Sequence, residues 1–238
     1  MAGLRLDKIL SKSGFGSRKD VKKLILSGRV SVNGKSITNS SFKASPEDIF
    51  VDGNKISYRE FIYVLMNKPQ GVISSTEKGR TKTVIDLLDD DLKSYSPFPV
   101  GRLDIDTEGL LLITNDGPLA HNLLSPKKHV DKTYYAKING VVTDEDIEKF
   151  KQGLDIGEDK PTLPATLNIL KSGETSEIEV TICEGKFHQV KRMFHAVGKE
   201  VVFLKRIKMG TLTLPPNLKT GDYIEISLHD IQNAQKEY

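Results

Sequence analysis

Two carboxylates, Asp104 and Asp106, lie on a short segment bracketed by Gly101 and Gly109, with Arg102 beside them in Pro99-Val-Gly-Arg-Leu-Asp-Ile-Asp-Thr-Glu-Gly-Leu-Leu-Leu-Ile-Thr-Asn-Asp-Gly117. Glycines at both ends permit tight backbone excursions that other residues resist. An apolar stretch, Leu110–Thr114, follows at once and anchors the loop against a core. Such a loop can present a carboxylate rigidly to a ligand, as nucleophile or proton acceptor. On residue type alone, Asp104 and Asp106 serve equally well as helix N-caps or turn residues.

The elements that must position this loop are legible from periodicity. Strand-like runs at 61–66, 110–114, 133–138, 165–170, 177–182 and 201–207 alternate with helical patterns at 144–153 and 188–197. A mixed, largely antiparallel sheet carrying helices is the expected architecture, of α+β class. Ahead of it, the apolar periodicity from Leu4 to Leu10 predicts one short helix. Ser17 caps a second that carries Val21, Leu24, Ile25 and Leu26, and Gly28 closes it. Val30-Ser31-Val32 then alternates into Asn33-Gly34, a strong hairpin signal, and Asp52-Gly53-Asn54 marks a second turn. The polar stretch Tyr58–Glu60 reads as a linker, so the boundary falls near residue 60: a module at 1–59 and a larger domain at 60–238. The last four residues, 235–238, are expected to fray.

The chain has 238 residues, 37% hydrophobic and 28% charged, an ordinary globular composition. No apolar run approaches the ~18 residues of a membrane span, and MAGLRLDKIL does not read as a secretory signal. A cytoplasmic protein with no membrane role is expected. Cys183, the single cysteine, allows no intrachain disulfide and reads as a buried strand residue. The five histidines lack the spacing and company of a zinc site, and no phosphate-cradling glycine fingerprint occurs, so metal, ATP and NAD are not expected. The net charge of +3 is uninformative, but its distribution is not: residues 1–45 carry ten Lys/Arg against Asp7 and Asp20, leaving 46–238 at −5. A basic module on a near-neutral body suggests docking to a polyanion. Arg18, Lys19, Lys22, Lys23 and Arg29 gather on or beside one short helix, where three- and four-residue spacing places side chains on one face.

The N-terminal pattern LDKILSKSGFGSRKDVKKLILSGRVSVNGK, with Arg5-Leu6-Asp7, Ser17-Arg18, Gly28-Arg29-Val30 and Asn33-Gly34 at module spacing, resembles the S4-type RNA-binding module. GRLDIDTEGLLLITNDG resembles the signature of the RsuA/RluB/RluE/RluF family of rRNA pseudouridine synthases. Leu65–Gly71, Lys132-Thr-Tyr134 and Glu184–Phe194 agree with that family in order and spacing. The resemblance spans nearly the whole chain. It implies Asp104 as the catalytic aspartate, Tyr134 as the aromatic packing on the target base, Val190 as the apolar wall and Lys191 as the basic partner of Asp104. Pseudouridine formation breaks a C–N glycosidic bond, rotates the freed uracil and makes a C–C bond with no gain or loss of atoms. No cofactor or metal is therefore required. The base must leave its stack, which an aromatic such as Tyr134 partly offsets by ~1–3 kcal/mol.

Arg102, Lys132, His188, Lys191 and Arg192 are expected to ring the site with phosphate-compatible charge, with Gln189 beside His188 hydrogen-bonding RNA at a helix start. With Arg5, Arg18, Lys19, Lys22 and Arg29 they form the expected RNA contacts. Within the family, EGKFHQVKRMF is more similar to the small-subunit branch, which implies 16S rRNA in an assembly intermediate, acted on by a monomer. The alternatives are a 23S rRNA synthase and a non-catalytic ribosome-assembly factor that keeps the fold without the reaction.

Overall fold

A computed structural model describes residues 3–77, 79–125 and 128–233. The expected fraying at 235–238 falls outside these. The described chain separates into two compact units, one of Met1–Ile62 with Leu88–Pro97, the other of Tyr63–Leu87 with the residues from Phe98 onward. The sequence suggested one uninterrupted boundary near residue 60; in the structure, residues 88–97 belong with the first unit although they are embedded in the sequence of the second. Leu92 and Tyr95 bury their side chains, which local polarity in that stretch conceals.

The first unit contains β1 (Leu4–Arg5), α1 (Leu6–Lys12), α2 (Arg18–Leu26), β2 (Val30–Val32), β3 (Lys35–Ser36), β4 (Lys43–Ala44), β5 (Ile49–Val51), β6 (Asn54–Lys55) and α3 (Asp90–Ser94). Ser17 caps α2 as expected: it and Asp20 satisfy each other's backbone N–H groups in a capping box. Asn33 and Gly34 both have positive φ, as do Asp52 and Gly53, giving the two tight hairpin turns that the twist of paired strands favours. These turns set the antiparallel order β3-β2-β5-β6. Leu6, Ile9, Leu10, Val21, Ile25, Val30 and Ile49 are fully buried, so α1 and α2 spend their apolar faces on this small sheet. Their opposite face, with Arg18, Lys19, Lys22 and Lys23, is exposed.

In the second unit β7 (Tyr63–Lys68), β8 (Phe98–Pro99), β9 (Glu108–Thr114), β10 (Lys132–Asn139), β11 (Thr166–Lys171), β12 (Thr175–Ile182), β13 (Glu200–Met209), β14 (Leu212–Thr213) and β15 (Tyr223–Glu225) form one sheet. Its path is β11-β12-β10-β13-β9-β7-β15, with β14 on β13 and β8 on β9. Among the described residues every strand pair of this sheet is antiparallel but β13·β9, which runs parallel through Lys205↔Glu108 and Arg206↔Gly109. The mixed, largely antiparallel sheet is as the sequence implied. Helices α4 (Gly117–Leu124), α5 (Asp144–Gln152), α6 (Gln189–Ala196) and α7 (Leu228–Asn233) accompany it. On one part of the core, Leu65, Val100, Leu110, Leu112, Leu123 and Ile231 cluster. On another, the buried rings of Phe150 from α5 and Phe194 from α6 meet at 4.9 Å, which ties α6 down. Cys183 is half-buried just beyond β12 rather than buried within a strand.

Candidate active site

The loop 101–107 leads into β9, and five hydrogen bonds from Lys68, Gly71 and Ser74 hold its backbone. Lys68, the last residue of β7, is fully buried and donates from Nζ to the carbonyls of Pro69 (3.0 Å), Asp104 (2.9 Å) and Thr107 (2.9 Å). Gly71 donates its N–H to Ile105 O at 2.8 Å. Ser74 Oγ both donates to Leu103 O and accepts from Leu103 N–H, at 3.0 and 3.1 Å. Leu103 itself is buried, so the residue preceding Asp104 is fixed by packing as well. At the loop's far end Gly109 has φ +106°, and a Cβ there would lie 2.2 Å from Arg206 O, so only glycine allows β9 to meet β13.

Burial pushes the Lys68 ammonium down to about 8, against the opposing pull of the Asp104, Asp106 and Glu108 carboxylates. Its three N–H donors match three carbonyl acceptors, so the lysine works as a buried clamp on the loop. Lys68, Gly71 and Ser74 had no role in the sequence reading. The available signal was a lysine ending a strand that is apolar through Met66 and runs on into Pro69, a position where an unpaired ammonium would be costly.

Asp104 projects its carboxylate from this fixed backbone with 30% of the side chain exposed. Lys191 Nζ lies 3.5 Å from its Oδ2, and His188 Nε2 3.6 Å from its Oδ1. The expected Lys191 partnership is therefore present, but shared: Lys191 bonds Asp106 more closely, at 2.6 Å, and holds that carboxyl below the usual range. Asp106 is more exposed than Asp104, and Lys191, less exposed than either, bridges the two carboxylates. Val190 is buried at the start of α6, next to Lys191.

Tyr134 lies buried in β10, its register partner on β13 being Arg206, whose own partner on β9 is Gly109. The sheet thus places Tyr134 two strands from the end of the Asp104 loop. Directly paired residues share a sheet face, so Arg206 accompanies Tyr134. Arg206 is 2% exposed, donates from Nε to Leu110 O at 2.8 Å, and keeps Nη2 without a partner among the described residues. Lys132, two residues from Tyr134, is half-buried and donates to Val130 O at 2.9 Å; burial and the Arg206 charge lower its ammonium.

The expected RNA contacts divide into open and engaged groups. Arg102 is exposed beside Asp104. Gln189 is not available to a ligand: it is 4% exposed, accepts the Lys186 N–H and donates to Glu184 Oε1 at 2.8 Å, closing the turn before α6. Arg192 is bound to Glu158 (2.6 Å), to the carbonyl of Phe187 (3.1 Å) and to the carbonyl of Ile156. In the first unit Arg18, Lys19 and Lys22 are exposed on α2, whereas Arg5 pairs with Asp7 at 2.7 Å and Arg29 with Asp52 at 2.5 Å, both at the surface.

Two segments of the chain match known protein families. Residues 62–196 match the RNA pseudouridylate synthase family, and residues 4–50 match the S4 domain. An uncharacterised RNA pseudouridine synthase of Bacillus subtilis, YtzG, is 49% identical over 96% of this chain and 97% of its own length. The ribosomal large subunit pseudouridine synthase B of the same organism is 42% identical over 97% and 95%. The ribosomal small subunit pseudouridine synthase A of Escherichia coli is 38% identical over 97% and 100%. A crystal structure of a pseudouridylate synthase superposes with a TM-score of 0.69 at 34% identity, covering 97% of this chain and 99% of that one. The chain belongs to the RNA pseudouridylate synthase family, with an S4 domain at its N-terminal end.

Proposed function

We propose that this chain converts one uridine of 16S ribosomal RNA to pseudouridine, with Asp104 acting at the sugar. The observation that carries the reading is the Asp104 loop itself: its backbone is clamped by Lys68, Gly71 and Ser74, while its carboxylate stays open to a ligand and faces Lys191 and His188. A carboxylate so held needs no reorganisation when the reacting sugar arrives, which is what transition-state stabilisation demands.

In the reaction C1′–N1 breaks, the uracil turns, C1′–C5 forms, and the proton displaced from C5 is balanced by one gained at N1. Asp104 serves at the sugar as nucleophile or proton acceptor. Lys191 supplies a positive charge beside the carboxylate pair, Tyr134 packs on the freed base, and Val190 walls the pocket. The presence of Asp104, Tyr134 and Lys191 together speaks against a non-catalytic assembly factor. The small subunit is favoured by the resemblance of EGKFHQVKRMF, with its His188-Gln189 pair, to the small-subunit branch; His188 stands beside Asp104, and Gln189 shapes the turn before α6. A 23S substrate is the second reading, favoured by the relative named for the large subunit. The substrate is a loosely packed assembly intermediate, because a uridine locked in a mature subunit cannot flip out.

Mapping pseudouridines in rRNA from cells with and without the protein decides between the subunits: one site should vanish from 16S rRNA, and loss from 23S rRNA instead would reverse the assignment. Asp104→Asn should bind rRNA transcript with parental affinity and yield no pseudouridine, because it keeps the shape and loses only the charge. Turnover near the parent's would remove Asp104 from the mechanism.

A further inference from the structure

Phe187 is the most exposed large apolar side chain among the described residues, at 72%, and it stands at the edge of the site. It is not loose. Its ring stacks on His188 with centroids 3.8 Å apart and planes 20° from parallel, and His188 lies 3.6 Å from the Asp104 carboxylate. One face of Phe187 is thus covered by an imidazole, while its exposure leaves the other face open.

The loop is built to hold this geometry. Arg192 donates to the Phe187 carbonyl while anchored on Glu158 and Ile156. Lys186 is fastened through its N–H to Gln189 and through Nζ to the carbonyls of Lys160 and Pro161. His188 adopts a left-handed backbone, φ +49°, a conformation that costs a non-glycine residue energy and persists only where the surroundings enforce it. Several buried or engaged polar groups therefore keep an apolar ring in water, the opposite of what stability alone would select.

We propose that Phe187, backed by His188, is a stacking platform for the base next to the target uridine. The ring-to-ring spacing of Phe187 and His188 is that of stacked aromatic rings, and the stack ends beside Asp104, where the reacting uridine must sit. When that uridine leaves the helix, its neighbour loses a stacking partner. A base placed on the free face of Phe187 regains one, and any base qualifies because every base has a π-face. The chemistry favours a nucleobase over a phosphate here, because the nearby cations Lys186 and Arg192 are already tied to Glu158, at 3.7 and 2.6 Å. The inference rests on the placement of the reacting uridine at Asp104.

The chain contains no tryptophan, so Phe187→Trp installs a single indole whose fluorescence reports stacking directly. Titrating this variant with deproteinised 16S and 23S rRNA transcripts should quench the indole saturably, and iodide should no longer reach it once RNA is bound. In steady-state assays Phe187→Ala and Phe187→Leu should raise KM on the order of tenfold to a hundredfold, the range expected for one lost base stack, and change kcat far less. Phe187→Tyr should hold KM near the parent's. Leucine separates ring stacking from mere apolar contact. An unquenched indole, or a Phe187→Leu variant with parental KM, overturns the proposal. Repeating the titration with Phe187→Trp and Asp104→Asn combined separates the two assignments: quenching should survive while product disappears, whereas persistent product would overturn the Asp104 reading and leave the stacking result to stand by itself.

Discussion

At the residue scale, Asp104 is distinguished from Asp106 by the company each keeps. Both carboxylates approach Lys191, but Asp106 takes the shorter bond and the more exposed position, while Asp104 also has His188. Asp106→Asn should therefore weaken the hold on Lys191 without removing the reacting group. We expect a fall in single-turnover rate of about tenfold, of the size a lost charge-assisted bond gives, against complete loss for Asp104→Asn; a dead Asp106→Asn beside an active Asp104→Asn would exchange their roles. Lys68 invites a second test. Replacing it by Met strands three carbonyls that it now satisfies, at a cost of about 2–3 kcal/mol in thermal or denaturant unfolding. Its depressed ammonium, about 8 against an ordinary 10.5, has two opposite consequences. Between those values the unfolded chain binds more protons than the folded one, so this group makes stability rise with pH. The neutral amine, however, has only two N–H donors for three carbonyls, so the Asp104 loop loosens. The rate profile should thus show an alkaline decline near pH 8 while stability does not fall with it. Lys68→Met should lack that decline, and its persistence there would assign it to another group.

At the element scale, α2 and the β9–β13 junction show two different ways in which sequence becomes function. Ser17 and Asp20 start α2 by local hydrogen bonding, and its apolar positions bury against the small sheet, so the basic positions have nowhere to point but outward. Arg5 and Arg29 are already paired with Asp7 and Asp52, and each must give up that partner before meeting a phosphate. Arg18→Ala with Lys22→Ala should accordingly lower the slope of log affinity against log salt by about 1.4–1.8, roughly 0.7–0.9 per lost phosphate contact. Arg5→Ala with Arg29→Ala should lower it less. Filter binding of rRNA transcript at several salt concentrations measures both, and equal slopes for all variants would remove α2 from the interface. At the β9–β13 junction the controlling residue is Gly109, whose missing Cβ lets the Arg206 backbone approach. That close approach sets the end of the Asp104 loop against the strand facing Tyr134.

At the scale of the whole molecule, the return of residues 88–97 to the first unit matters for how the protein can be divided. Leu92 and Tyr95 are buried, Arg59 lies over the Tyr95 ring at 5.5 Å, and Arg59 also pairs with Asp91 at 3.5 Å. A fragment beginning at residue 63 keeps 88–97 but loses the residues that cover it. It should expose Leu92 and Tyr95 and elute from size exclusion largely as aggregate, and Leu92→Ser with Tyr95→Ser should raise its monomeric fraction. A monodisperse fragment with parental Tm would show that 88–97 is self-sufficient. Among the described residues no helix is long and apolar enough to cross a membrane.

Sequence by itself determined whatever depends on near neighbours along the chain. The capping box at Ser17, the hairpin turns at Asn33-Gly34 and Asp52-Gly53, and the period-two burial of β12 rest on hydrogen bonds and alternation within a few residues. The position of Asp104 and its proposed partners came from motif order, since the residue type alone also suits a cap or a turn. Tertiary structure decided whatever depends on residues distant in sequence. Lys68 reaches the Asp104 loop across 36 positions, and Lys191 reaches Asp106 across 85. Burial supplies the reason: a lysine in the core must find its partners wherever the fold brings carbonyls and carboxylates together, and no local pattern names them.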